Sequence, residues 1–164
     1  KKGHQLIAMI YSSLDKGLAS LSRVTAYNAV LEEHGLAYLN GYMQDGKFSY
    51  IESCKAMQKL LQTSPRPTAV FCATDVMALG AYKAIKEAGL KIPQDISVVG
   101  FDNIEMPYYV DPVDPPLTTV DGDKKKVGAA GLQLVHDLIL NKDVPKKAVI
   151  LPMWLIEKKS VKVL

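Results

Sequence analysis

No apolar run in this chain is long enough to cross a bilayer, and Lys1-Lys2-Gly3-His4 leads straight into a strand pattern rather than a signal-peptide core. No membrane partner is expected. Charge of one sign is also missing: 20 Lys+Arg against 17 Asp+Glu leave a net +3, and no basic stripe points to direct contact with nucleic acid. The densest basic run, Lys124-Lys125-Lys126, reads as the solvated first turn of a helix. Cysteine is scarce. Cys54 falls on a helix face and Cys72 inside a buried strand, which suits reduced, small apolar side chains and a cytoplasmic location rather than a disulfide scaffold. His4, His34 and His136 have no ligand spacing, so no metal site is expected. There is no G-x-G-x-x-G word, Walker loop or G-x-S-x-G elbow, and no paired nucleophile and base, which argues against an enzyme and against a bound cofactor. Internal repeats and low-complexity tracts are absent as well.

At 164 residues the chain is long enough for one ordinary domain with its own core. Its clearest stretch runs from Arg66 to Asn103 and reads strand, helix, strand. Ala69 to Ala73 is a short apolar run after a Pro-rich turn, the pattern of a strand buried on both faces of a parallel sheet. Thr74 and Asp75 stop it and can cap a helix that carries Val76, Met77, Gly80, Ala81, Ala84 and Ala88 largely on one side. Gly89 supplies the positive φ at its end. Ile96 to Phe101 is the second apolar run, closing a right-handed βαβ unit. Ligands in open α/β sheets sit beyond the carboxyl ends of the strands. Thr74, Asp75, Asp102 and Asn103 therefore fall on the edge where function is expected.

Elsewhere, Leu6 to Tyr11 reads as a strand, and a Ser- and Gly-rich loop leads to a helix from Arg23 to about His34, with Ser22 as N-cap and Gly35 as terminator. Leu36 to Met43 is a weak strand candidate, followed by a loop at Asp45-Gly46-Lys47. Ser49-Tyr50-Ile51-Glu52 has capping-box spacing and predicts a helix to about Gln62 with Ile51, Cys54, Met57, Leu60 and Leu61 inward. The alternation predicts a parallel sheet flanked by helices. Ile104 to Pro116 is a long connection, Leu117 to Val120 a short strand, and Lys125 to about Asn141 a helix with Val127, Ala130, Leu134 and Leu138 on one face. Ala148 to Ile156 is a closing strand with Trp154 as a core residue.

The words PTAVFCATDVMALGAYKAIKEAGLKIPQDISVVGFDN resemble the effector-binding core of the lactose-repressor (LacI/GalR) family of bacterial transcription regulators. Pro115-Pro116-Leu117-Thr118-Thr119-Val120 matches its PPLTT words, and the LPMWLIEKKSV stretch is similar to its last strand. Gly3-His4 and Arg23-Val24-Thr25-Ala26-Tyr27 resemble its GH and R-x-x-G-Y words. The likeness implies a type I periplasmic-binding-protein-like α/β fold. Residues 1–103 and 148–164 would form its C-terminal subdomain and 117–141 a returning segment of the N-terminal one, with the DNA-binding helix-turn-helix absent from this chain. The strand at Leu117 and the helix after it would then lack their natural partners, so that segment is expected to pack back or to be shared with a second copy.

The resemblance also implies site residues. Arg23 sits where a guanidinium reaches effector hydroxyls, carboxylate or phosphate, against the alternative of a surface arginine near a helix start. Phe48 stands where the family places an aromatic ring against the effector, although a staple onto the next helical turn fits the same position. Asp102 ends the VVG-aromatic-Asp word and would accept from ligand hydroxyls, its alternative being a loop cap. Thr74 replaces the family's usual Asn with a single hydroxyl. Tyr108 and Tyr109 lie where a subunit contact is expected. The implied function is the ligand-sensing and dimerisation domain of a homodimeric repressor. It would bind a sugar-like or nucleobase-like effector and reach operator DNA through a domain outside this chain. A solute-binding protein of a sugar transport system is the other reading of the same fold. An enzyme or phospho-receiver using Asp75 and Asp102 lacks any supporting motif.

Overall fold

A computed structural model describes residues 2–14, 18–104, 113–140 and 149–164. Four parallel strands form its main sheet: β1 (Ile7–Tyr11), β2 (Met43–Asp45), β3 (Ala69–Cys72) and β4 (Ser97–Val99), in the order β2-β1-β3-β4. Ile7 to Ile10 of β1 lie opposite Ala69 to Cys72 of β3, while Met9 to Tyr11 lie opposite Met43 to Asp45 of β2. Ala8, Met9 and Ile10 are each 0% exposed. Consecutive strand residues face opposite sides, so the sheet is covered on both faces, as the unbroken apolar run predicts.

The helices between the strands are α1 (Leu18–Glu33), α2 (Tyr50–Leu61) and α3 (Asp75–Glu87). The chain turns one way from β1 to β2 and the other way from β2 through β3 to β4. Right-handed crossovers then put α1 on one face and α2 with α3 on the other. Met57, Leu60, Met77, Ala81 and Ile85 fill the layer between α2, α3 and the sheet. Thr74 caps α3 by accepting from Met77 N, and Ser49 caps α2 by accepting from Glu52 N. Both α1 and α3 end in the same device. Gly35 (φ 61°) and Gly89 (φ 73°) take the left-handed conformation, while Leu36 N donates to Leu31 O and Leu90 N to Ile85 O.

Several boundaries differ from the sequence reading. α1 begins at Leu18, so Ser22 lies inside the helix and is not its cap; the run LASLS holds neither proline nor a β-branched residue to stop the helix there. The strand expected over Leu36 to Met43 is instead β2 at Met43–Asp45, because Gly41 (φ 85°) and the Tyr42 N to Leu39 O bond turn the chain before the ladder starts. Ile51 is 63% exposed rather than inward. It precedes Met57 by six residues, which at about 100° each puts it roughly 120° from the centre of the buried stripe. Ala88 is exposed as well, being the C-cap of α3.

A second, antiparallel pair holds β5 (Thr119–Asp121) and β6 (Trp154–Ile156), with α4 (Lys124–Ile139) between them in sequence. Both strands are shorter than predicted, and Pro152 cannot donate to a ladder just before β6. Trp154 is 41% exposed, not core, and the Lys126 amine stands 5.3 Å from its ring centroid. α4 has no buried residue. The expected segment therefore divides: Leu117 to Thr119 are buried against the rest of the chain, whereas on α4 Val127 and Leu138 stay exposed, and Ala130 and Leu134 line an open hollow with Val149 to Leu151 and Met153. Beyond β6 the chain returns to β4: Val98 N donates to Ser160 O at 2.9 Å, and Ser160 Oγ donates to Val98 O at 2.6 Å.

At the amino edge of the sheet, His4 joins three segments. Its Nδ1 lies 3.0 Å from Thr68 Oγ1, and its Nε2 lies 3.0 Å from Ser97 Oγ and 3.3 Å from the Lys162 carbonyl oxygen, while Ser97 Oγ accepts from Lys162 N. Burial holds this imidazole below its ordinary pKa, helped by the Lys162 charge and opposed by a hydrogen bond to the Lys162 carbonyl. The unfolded chain therefore binds the proton first. Stability from this group is full above about pH 6.5 and declines as pH falls through the depressed folded value. Thermal melts between pH 7.5 and 5 should show Tm falling on acidification, and His4→Gln should flatten that slope. An unchanged slope would remove His4 as its source.

Candidate functional site

The sheet order reverses between β1 and β3, so a crevice opens beyond the carboxyl ends of those strands. Arg23, on the second turn of α1, reaches it. Its Nη1 donates to the carbonyl of Ala73 at the end of β3 (2.9 Å), its guanidinium lies 3.9 Å from the Phe101 ring centroid, and Nη2 stands 3.9 Å from Asp102 Oδ1. A planar cation stacked on an aromatic face and tied by one nitrogen is held in orientation. The surface-arginine alternative does not describe this geometry.

Asp102 follows β4 with φ 111°, and Asn103 follows with φ 46°. Left-handed backbone at non-glycine residues is costly and concentrates where function needs it. Burial raises the Asp102 carboxyl above the usual range, the Arg23 charge opposes that, and the neighbouring Asp75 adds to it. Thr74 uses its oxygen as the α3 cap and keeps its hydroxyl proton to donate. Arg23, Thr74 and Asp102 are thus brought together at the ends of β3 and β4.

Phe48 lies on the same carboxyl edge but follows β2, three strand spacings from β4, or about 14 Å. It is 37% exposed, and the fourth residue of α2 is the polar Ser53, so there is no apolar partner there for a staple. Lys47 (φ 50°) and Phe48 (φ 52°) are both left-handed. That turn is pinned by Asp45, whose carboxylate accepts from Lys47 N (2.9 Å), Ser13 N (3.2 Å) and the Ser13 hydroxyl. Burial alone raises the Asp45 carboxyl, but these hydrogen bonds and the Lys47 charge together bring it below the usual range. Tyr108 and Tyr109 lie outside the described residues.

Sequence reasoning did not single out Ser13, Asp45 or Phe101 as site residues. Phe101 had a signal, being the aromatic of the Gly100-Phe101-Asp102 word, whereas the Ser13–Asp45 contact joins residues from separate loops and left none. Asp75, also on this edge, is 3% exposed. Its carboxylate accepts from Thr119 Oγ1 (2.6 Å) and Ile104 N (3.0 Å), so it faces inward and holds the connection to β5. The lysine run divides. Lys124 reaches back to the 102–103 backbone, while Lys126 pairs with Asp123 at 3.0 Å. Among the described residues no group of His, Cys, Asp and Glu has the arrangement to hold a metal ion, and no helix is long and apolar enough to cross a membrane.

A family model described as a periplasmic binding protein-like domain matches residues 1–161. The chain belongs to the periplasmic binding protein-like family. Its relatives in that family include the HTH-type transcriptional repressor PurR of Vibrio atlanticus, 35% identical over 164 residues, or 100% of this chain and 48% of the relative. The PurR repressor of Histophilus somni is 38% identical over 162 residues, covering 99% of this chain and 47% of the relative. The chain spans about half the length of the curated relatives it matches. Among solved structures, the transcriptional regulator CelR in complex with cellobiose superposes with a TM-score of 0.85 at 29% identity, over 96% of this chain and 47% of that one. The lac repressor dimer bound to operator and the anti-inducer ONPF gives 0.85 at 30% identity, over 98% of this chain and 54% of that one. Within the periplasmic binding protein-like family the domain is of the LacI/GalR type, as its sequence words imply.

Proposed function

We propose that this chain is part of the ligand-sensing and dimerisation domain of a LacI/GalR-type repressor, in which a small sugar-like or nucleobase-like effector controls DNA binding from a distance. The observation that carries the reading is the convergence of Arg23, Thr74 and Asp102 at the switch point of the sheet, with Phe48 on the same edge. These groups bind rather than react. They offer a fixed fork of donors, a hydroxyl, a carboxylate and an aromatic surface, suited to a ligand bearing hydroxyl or amide groups around an apolar face. Residues 1–103 and 148–164 would form one subdomain and 117–141 part of the other. The effector would shift the arrangement of the two, and the second subunit of a homodimer would relay that shift to operator DNA through a domain outside this chain.

The test is a thermal-shift screen of sugars, nucleobases and sugar phosphates on the full-length protein. A ligand at about a hundred times its Kd should stabilise by about 2.7 kcal/mol, a shift of roughly 5–10 °C. Asp102→Ala should abolish that shift while leaving the ligand-free melt close to wild type, because the carboxylate is partly exposed and its removal opens no core. A full response in the variant would take Asp102 out of the site.

A further inference from the structure

The strained residues at the site do not stand on their own strand. Asp102 N donates to Val120 O at 2.9 Å, and Asn103 N to Thr119 Oγ1 at 3.3 Å. Lys124 Nζ donates to the carbonyls of both Asp102 and Asn103, and Asn103 Nδ2 donates to Asp121 Oδ2 at 2.9 Å. The backbone amide and carbonyl of both residues are therefore engaged by groups of the 119–124 segment. The same Asp121 accepts from Asp123 N (2.8 Å), and Asp123 caps α4 by accepting from Lys126 N. A continuous chain of hydrogen bonds thus runs from the first turn of α4 to the peptide groups that set the direction of the Asp102 side chain.

We propose that Lys124, Asn103 and Asp121 act as positioning residues, a clasp that fixes the left-handed backbone at Asp102 and makes the site carboxylate move with the β5–β6–α4 unit. A residue held at φ 111° relaxes once its partners leave. Displacement of α4 withdraws the Lys124 ammonium from two carbonyls at once, and Asp102 then loses the orientation in which its carboxylate faces Arg23. By reciprocity, a ligand that holds Asp102 favours the clasped position of α4. The functional consequence rests on the reading of Asp102 as an effector contact, but the clasp itself does not.

Amide hydrogen exchange on the chain as it stands tests this without a ligand. Lys124→Met should speed exchange at the Asp102 and Asn103 amides by about tenfold, the loss expected on removing roughly one net hydrogen bond, with β1 and β3 amides unchanged. Lys124→Arg should restore protection, and Asp121→Ala, which removes the acceptor of the Asn103 side chain, should reproduce the local loss. Exchange at residues 102 and 103 unchanged by both Lys124→Met and Asp121→Ala would overturn the clasp, as would acceleration spread evenly over β1 and β3. The two readings fail separately: a full effector response in Asp102→Ala removes the ligand contact but leaves these exchange rates as stated, whereas unaltered exchange removes the clasp whatever Asp102→Ala does.

Discussion

Replacing Gly80 with alanine should destabilise the fold by about 3 kcal/mol, lowering Tm by roughly 6–12 °C. Alanine is the better helix former by about 1 kcal/mol, so an open site would gain stability. This site is closed. A Cβ on Gly80 would stand 2.3 Å from the Tyr50 carbonyl oxygen, 2.9 Å from Cys54 N and 2.9 Å from Ser53 Cβ, all at the start of α2. Two of those atoms are backbone and cannot rotate aside. α2 and α3 must separate, and Met57, Met77 and Ala81, each 0% exposed, lose contacts with them. The overlap outweighs the propensity gain. Urea unfolding of wild type and Gly80→Ala reads the difference directly, and a stability equal to or above wild type would mean that the helices are not packed this closely.

Asp75→Ala should cost a similar amount for a different reason. The carboxylate is nearly fully buried, burial raises its pKa, and its two oxygens serve Thr119 Oγ1 and Ile104 N. Removing it strands a hydroxyl and an amide at about 1–3 kcal/mol each, so a loss of about 2–6 kcal/mol is expected. Asp75→Asn should lose less, since its amide oxygen still accepts and the Thr119 hydroxyl can turn to accept from the amide nitrogen. The same network bounds Gly100, where a Cβ would lie 2.2 Å from Asp75 Oδ1. Equal stabilities for Asp75→Ala and wild type in chemical denaturation would show that Asp75 does not hold the connection to β5.

How far these features were readable from residues alone depends on how local their causes are. β3 and α3 were legible almost to the residue, because an apolar run, the Thr74 cap and the Gly89 terminator act within a few positions of one another, while β4 was placed correctly but spans Ser97–Val99 rather than Ile96 to Phe101. The extent of β2 was not, since strand assignment there depends on where Met9 N meets Tyr42 O, a contact across more than thirty residues. α1 began early because Ser22 has the chemistry of a cap wherever it sits, and nothing adjacent signals that the helix has already started. As candidate site residues, Arg23, Thr74 and Asp102 came from family words together with the rule that ligands sit at carboxyl ends. Asp75 was placed on the right edge, but its inward orientation is set by Thr119 and Ile104, which approach only in the folded chain. Lys124 was read as solvated for the same reason: its acceptors, the carbonyls of Asp102 and Asn103, are backbone groups with no mark in the side-chain pattern.

The carboxyl ends of the four parallel strands are proposed to form one wall of an effector site. The most direct measurement is the amide-exchange footprint of the full-length protein with and without the sugar, nucleobase or sugar phosphate that gives the largest thermal shift. Protection is predicted for segments holding Ser13, Lys47–Phe48, Thr74 and Asp102–Asn103, with none at the opposite edge around His4, Thr68 and Ser97. Protection centred on His4, Thr68 and Ser97, with the Thr74 and Asp102 segments unchanged, would contradict it.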